Sequence, residues 1–249
     1  MGIHLRLLGS TELVADDGRR VDGVVAQPKR LALLAYLSAS RPARLHRRDS
    51  LLLMFWPDAD ETHARGALSQ ALSFLRRALG KGVIVSRGVD EVGVDHGQLT
   101  TDVEQFEQAA DAGDHVRALG RYDGDLLVGL NVGGCNEFDD WLSDERRRLR
   151  ERAARSAKAI TRTALESRNG SVAVVAARHA LLLAPLDESA AVRAIEAYQL
   201  AGRPALALAE YDTFRRRLLE ELGVEPSAEL QRLVATIRSG ATAPPLVPG

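Results

Sequence analysis

Gln70, Ser73 and Arg77 stand at i, i+3 and i+7 within DETHARGALSQALSFLRRAL, the segment from Asp60 to Leu79. On a helix of 3.6 residues per turn, that spacing gathers an amide, a hydroxyl and a guanidinium on one face. Gly66 shares the face, and Arg65 and Arg76 stand at its margins. Leu68, Leu72, Leu75 and Leu79 form an apolar stripe on the opposite side. Amides, hydroxyls and guanidiniums are the groups that bond to base edges and phosphates in a major groove. A solvated surface helix uses the same residues, so the choice depends on the elements around it.

Those elements have an order. IHLRLLG (Ile3 to Gly9), TELVA (Thr11 to Ala15) and RVDGVVA (Arg20 to Ala26) read as short strands, with Gly18 after Asp16 and Asp17 as a hairpin turn. Pro28 stands where a helix can begin, and LALLAYLSAS (Leu31 to Ser40) is apolar and helical. A second helix is expected from about Arg47 to Phe55, ended by Pro57. Asp60 or Thr62 can cap the third. VIVSR (Val83 to Arg87) and EVGV (Glu91 to Val94) then form a hairpin over Gly88, Val89 and Asp90. Strands, three helices and a hairpin describe a winged helix, whose third helix lies in the major groove and whose hairpin reaches a neighbouring groove or phosphate. Arg87 is the cation of that wing.

From Asp102 the chain changes character and reads as helix after helix, rich in Ala, Leu and Arg. Gly113, Ala118 and Tyr122 stand at +0, +5 and +9; Gly202, Ala207 and Tyr211 repeat the spacing, and Gly170, Val175 and His179 follow it loosely. This predicts helix–turn–helix repeats of the tetratricopeptide type, whose period is about 34 residues. Glu137 to Ile160 reads as one long helix with Phe138, Trp141, Leu142 and Leu149 inward. Its arginines, Arg146 to Arg148, Arg150 and Arg152, alternate with acids and so predict a solvated face with i,i+4 pairs. The fold class expected is mainly α, an N-terminal α+β winged helix-turn-helix followed by an all-α tetratricopeptide-like domain. The boundaries expected are 1–99, 100–240 and a flexible Pro-rich tail at 241–249.

Composition narrows the function classes. A chain of 249 residues fits two domains. No apolar run approaches the ~18 residues that cross a bilayer, and no basic-then-apolar leader follows Met1, so a cytoplasmic location without a membrane partner is expected. Cys135 stands alone, so neither a disulfide framework nor a zinc set can be built. Residues 1–99 carry 14 basic and 11 acidic side chains, a net of +3, against −4 in the remainder. This asymmetry allows nucleic-acid contact through the first half. The six histidines form no HExxH pair, Cys135 has no evident base in sequence, and Asp139 and Asp140 point to different sides of a helix. No enzyme, cofactor or metal site is expected.

The sequence resembles a family of bacterial transcriptional activators, the Streptomyces antibiotic regulatory proteins, over about residues 3 to 238. The motifs in the first half are LRLLGSTEL, PKRLALLAYL, RDSLLLMFWPDADETHAR and LSFLRRAL. In the second half they are RYDGDLL, EFDDWLSDERRRLR, LAPLDESA and AGRPALALAEYDTFRRRLLEELGVEPSAEL. The resemblance implies an OmpR-like winged helix that binds double-stranded promoter DNA at direct repeats, two copies head to tail. It implies a bacterial transcriptional activation domain that supports self-association and contacts RNA polymerase or its sigma factor. Longer members continue into an ATPase domain, and no GxxxxGK[ST] loop is found in this sequence.

Carried onto this chain, the base-facing positions are Gln70, Ser73, Phe74 and Arg77, with Arg65 and Arg76 toward the DNA backbone. Arg47 and Arg48 open the second helix, where cations and backbone amides can hold a phosphate. Phe74 departs from the family pattern, which has an arginine there. Its ring can pack on a thymine methyl, or the face can dock protein. The alternative to a DNA-binding activator is therefore an interaction scaffold, with helical repeats binding a partner and the winged helix serving docking or dimerisation.

Overall fold

The computed structural model describes residues 2–41 and 45–240. The Pro-rich tail expected at 241–249 lies outside the described residues. The chain divides into two compact units, Met1–Leu149 and Arg150–Gly249.

The first unit opens with β1 (Ile3–Arg6) and β2 (Glu12–Ala15), an antiparallel pair, followed by α1 (Asp22–Val25) and α2 (Pro28–Ala39). Next come β3 (Leu45–Arg47), α3 (Arg48–Phe55), α4 (Glu61–Leu79), β4 (Ile84–Arg87) and β5 (Glu91–Val94). β6 (Leu99–Thr101), α5 (Asp102–Asp111) and α6 (His115–Leu119) follow, and α7 (Asn136–Glu166) begins in this unit. One sheet has the order β2-β1-β6, with β6 parallel to β1; the other has the order β3-β5-β4.

Helix α2 is the centre of the unit. Leu31, Leu33, Leu34 and Leu37 are all buried, so the helix is apolar almost all round, as a core helix must be. Pro28 occupies its first turn, where a missing N–H costs nothing. Helix α4 is amphipathic: Leu68, Leu72, Leu75 and Leu79 are buried together with Ala64 and Ala71. Each such leucine contributes about 1.5–3 kcal/mol by leaving water. Asp60 caps α4 by accepting from the His63 N–H at 3.0 Å. Phe55, at the end of α3, meets Tyr36 of α2 and Phe138 of α7 at ring separations of 6.1 and 5.3 Å, and Trp141 lies 5.0 Å from Tyr36.

One expectation for this unit needs correction, and two short strands were not foreseen. The third strand-like piece, Arg20 to Ala26, is instead the short helix α1, with only Arg20 in an isolated bridge to Val14. Val21 and Val24 are both buried, and a spacing of three suits a helical turn, not a strand. The second helix runs Arg48–Phe55, as expected to within one residue, with Arg47 at its N-cap closing β3 and pairing across to Glu91. β3 and β6 have three residues each, too few to show a period in sequence.

The second unit continues from α7 through α8 (Gly170–Leu183), α9 (Glu188–Leu200), α10 (Pro204–Leu222) and α11 (Ala228–Arg238). Ala173, Ala177 and Ala180 of α8 and Ala190, Ala191, Ala194 and Ala197 of α9 are buried, so small side chains line the helix contacts. Gly170 makes the closest approach: a Cβ there would lie 3.0 Å from Ala201 Cα.

The repeat phase differs from the spacing expected at Gly170. Val175 is 71% exposed and cannot be the buried small residue of a repeat. The same turn occurs after Gly113, Arg168 and Gly202, each at positive φ. In each, the next residue's N–H bonds a carbonyl five residues back: Asp114 to Ala109, Asn169 to Ala164 and Arg203 to Tyr198. Positions +5 and +9 from these turns are Ala118 and Tyr122, Ala173 and Ala177, and Ala207 and Tyr211, all buried. Arg168 to Gly202 spans 34 residues, the tetratricopeptide period.

The arginine run of α7 is also more engaged than a solvated face. Arg146 donates to the Leu126 and Leu127 carbonyls at 2.7 and 2.6 Å. Arg147 pairs with Asp144 at i,i+3. Arg148 lies between two buried carboxylates, Glu107 on α5 and Glu145 on α7. Cys135 is fully buried, with its thiol 3.4 Å from the Phe55 carbonyl.

Candidate nucleic-acid interface

Helix α4 presents Gln70 and Arg77 to solvent, with Ser73 and Phe74 half-buried between them, opposite the leucine stripe. The structure therefore brings all four expected base-facing residues to one side of one helix. Arg77 Nη1 donates to Ser73 Oγ at 3.0 Å, so hydroxyl and guanidinium act as one polar group. The ring of Phe74 carries the Arg30 guanidinium, whose carbon lies 4.0 Å from the ring centroid.

Of the expected backbone cations, Arg65 and Arg76 lie on α4 itself, and Arg47, Arg48 and Arg87 lie on β3, the start of α3 and the wing. Arg65, near the start of α4, bonds Glu61 at 2.8 Å and reaches Asp49 of α3 at 3.4 Å. Arg76, near its end, donates to Ser86 Oγ on β4 at 3.0 Å and so ties helix to wing. Arg87 is bonded to Glu91 across the hairpin. Glu91 stands in register with Arg47 on one side and Arg87 on the other. The Arg87 hydrogen bond holds the Glu91 carboxyl below the usual carboxylate range, opposed by desolvation and helped by the charges of Arg87 and Arg47. Arg47 is exposed. Arg48 is half-buried, and its backbone N–H already donates to the Asp90 carbonyl at 2.8 Å, so that amide is not available to a phosphate. Val89, at the tip of the wing, is 82% exposed.

A cleft of about 420 Å3 opens beside Gln70, between the start of α2 and the flank of α4. Gln27, Lys29, Arg30 and Trp56 line it with Gln70. Lys29 lies 5.6 Å from the Trp56 ring centroid and donates to the Phe55 carbonyl at 2.9 Å. Sequence reasoning missed Lys29, Arg30 and Trp56. A signal existed: two cations in the first turn of α2 oppose the helix dipole, which favours acids there.

Among the described residues, no group of His, Cys, Asp and Glu is placed to hold a metal ion, and no helix is long and apolar enough to cross a membrane.

A three-helix core with a β-hairpin wing, joined to tetratricopeptide-like repeats, defines a class: winged-helix proteins carrying a helical repeat domain. The bacterial transcriptional activator domain model matches residues 89–238. The chain belongs to that family, and it is a transcriptional regulator of the Streptomyces antibiotic regulatory protein type. It is 31% identical to the regulatory protein AfsR of Streptomyces coelicolor over 222 residues, which is 83% of this chain and 21% of AfsR. Against AfsR of Streptomyces griseus it is 31% identical over 221 residues, 83% of this chain and 22% of that one. The chain thus spans about a fifth of the length of these relatives. Mycobacterium tuberculosis EmbR, solved in complex with a low-affinity phosphopeptide, shares the fold with a TM-score of 0.66 at 21% identity, over 97% of this chain and 66% of that chain.

Proposed function

We propose that this regulator is a sequence-specific activator that binds promoter DNA through the exposed face of α4. Residues 1–99 carry the DNA-reading elements and 100–240 the activation part. The carrying observation is that Gln70, Ser73, Phe74 and Arg77 share the side of α4 opposite its buried leucines, with Arg65 and Arg76 flanking them. Gln70 suits an adenine edge, and Arg77 a guanine. Arg47, Arg48, Arg65, Arg76 and Arg87 serve the phosphates. Two copies bind direct repeats head to tail, and the helical domain contacts RNA polymerase or its sigma factor in the cytoplasm.

The test is selection of bound sites from sheared genomic DNA, followed by affinities at two salt concentrations. A repeated motif bound with steep salt dependence supports the reading. Arg77→Ala is expected to cost about 1–3 kcal/mol and to relax preference at one base position. Arg76→Ala is expected to weaken all sites alike and to lower the salt slope by about one. Unchanged affinity in both variants would remove the groove assignment.

One observation favours the scaffold reading. Val172, Val175 and Leu182 on α8 are exposed, as on a surface that receives a protein. Recovery of no DNA above background would select it.

A further inference from the structure

We propose that Arg30 is a phosphate-binding cation of the DNA face, and that Phe74 is the residue that positions it. The inference rests on the DNA-binding reading above and adds a contact from α2, a different helix from the one that carries Gln70 and Arg77.

Arg30 differs from the arginines of α4 itself. Arg65, Arg76 and Arg77 each donate an N–H to an acceptor within the protein. Among the described residues no carboxylate pairs with Arg30 and no acceptor takes its N–H groups; its partner is the Phe74 ring at 4.0 Å. A guanidinium laid on an aromatic face keeps its in-plane N–H fork directed outward. That fork matches the oxygens of a phosphate. The ring holds the guanidinium on α4 itself, beside the cleft into which Gln70 also faces. Lys29, the neighbouring cation, is already donating to the Phe55 carbonyl. A cation in the first turn of a helix lies against the dipole, and an anion in that position relieves the opposition. The ligand is a backbone phosphate of the duplex whose bases meet Gln70 and Arg77. Phe74 then needs no contact with a base, because its work is to hold Arg30.

The experiment uses the whole chain and a selected duplex, with affinity measured over a range of salt concentrations and melting temperature recorded for each variant. Loss of one phosphate contact lowers the salt slope by about 0.9, which is roughly an eightfold weaker complex at ~0.1 M salt. Arg30→Ala is expected to show that loss. Phe74→Leu keeps the cation without its platform and is expected to show a smaller loss in the same quantity. Phe74→Arg introduced into Arg30→Ala places a guanidinium on the same face and is expected to restore the slope. A packing role alone would move the melting temperature and leave the slope unchanged. An unaltered slope in Arg30→Ala, with DNA still bound, overturns the proposal and leaves the DNA-binding reading standing. No salt-sensitive binding by the unaltered chain overturns both.

Discussion

Arg148→Ala is expected to lower the unfolding free energy by about 3 kcal/mol, measured as a shift in urea midpoint at constant slope. The side chain holds two acids that cannot reach bulk water. Glu107 on α5 is 1% exposed and Glu145 on α7 is 8% exposed. Arg148 Nη1 lies 2.6 Å from Glu107, and its Nε donates to Glu145 at 2.9 Å. Arg41 reaches the other oxygen of Glu107 at 2.6 Å. Removing the central cation leaves Glu107 with Arg41 but takes the fork from Glu145 in a poorly solvated place, and breaking comparable buried pairs costs about 3–5 kcal/mol. Arg148 itself is 37% exposed, so water replaces part of the interaction and the lower end applies. Arg148→Lys keeps the charge but not the fork that bridges two carboxylates, and is expected to fall between. A loss under ~0.5 kcal/mol in the alanine variant, as for an ordinary surface site, would show that the acids are solvated.

A fragment ending at residue 99 is expected to lack a cooperative thermal transition, whereas one ending at residue 149 should melt cooperatively. Composition changes near residue 100, but the contacts that complete the winged helix lie beyond it. The Leu7 and Leu8 N–H groups both donate to the Asp102 carboxylate at 2.9 Å. Leu8 forms a bridge with Leu126, and the Gly9 N–H bonds the Asp125 carbonyl at 3.0 Å. Phe55 and Tyr36 lose Phe138 and Trp141. Removing one buried phenylalanine costs about 3–5 kcal/mol, against a total stability of about 5–15 kcal/mol for a domain. The shorter fragment loses several such contacts together. Calorimetry and near-ultraviolet circular dichroism on both fragments check this. A sharp transition in the shorter one, near that of the whole chain, would contradict it.

What was legible in the sequence follows from the length over which each signal repeats. Helix α4 shows its leucine stripe over 19 residues, and Asp60 caps it as expected. The wing shows itself through two strands around Gly88. β3 and β6 do not, because three residues carry no period and their partners lie far along the chain. The third repeat was misphased for a different reason. Glycine marks two of the three turns, but the one between α7 and α8 places Arg168 in the left-handed region. The nearby Gly170 answers instead to the close approach of Ala201. Backbone hydrogen bonding recurs there while residue identity does not. Of the site, the face of α4 could be read from periodicity. The stack of Arg30 on Phe74 joins residues 44 positions apart, and no local pattern links them.

On the proposed DNA-binding reading, the position of Glu91 between Arg47 and Arg87 is expected to couple DNA binding to proton uptake. In the free protein the Arg87 bond keeps the carboxyl ionised to unusually low pH. Phosphates that draw the two guanidiniums away return Glu91 toward its ordinary titration, and their own charge favours the acid form further. The carboxyl then has a higher pKa in the complex than in the free chain. The complex accordingly holds more protons between those two pKa values, and affinity rises as pH falls through that interval. Above the ordinary carboxylate range both states are ionised and the coupling vanishes. Calorimetric titrations with DNA at acidic pH, in buffers of different ionisation enthalpy, should show fractional proton uptake that Glu91→Gln abolishes. Equal uptake in the variant would place the proton elsewhere.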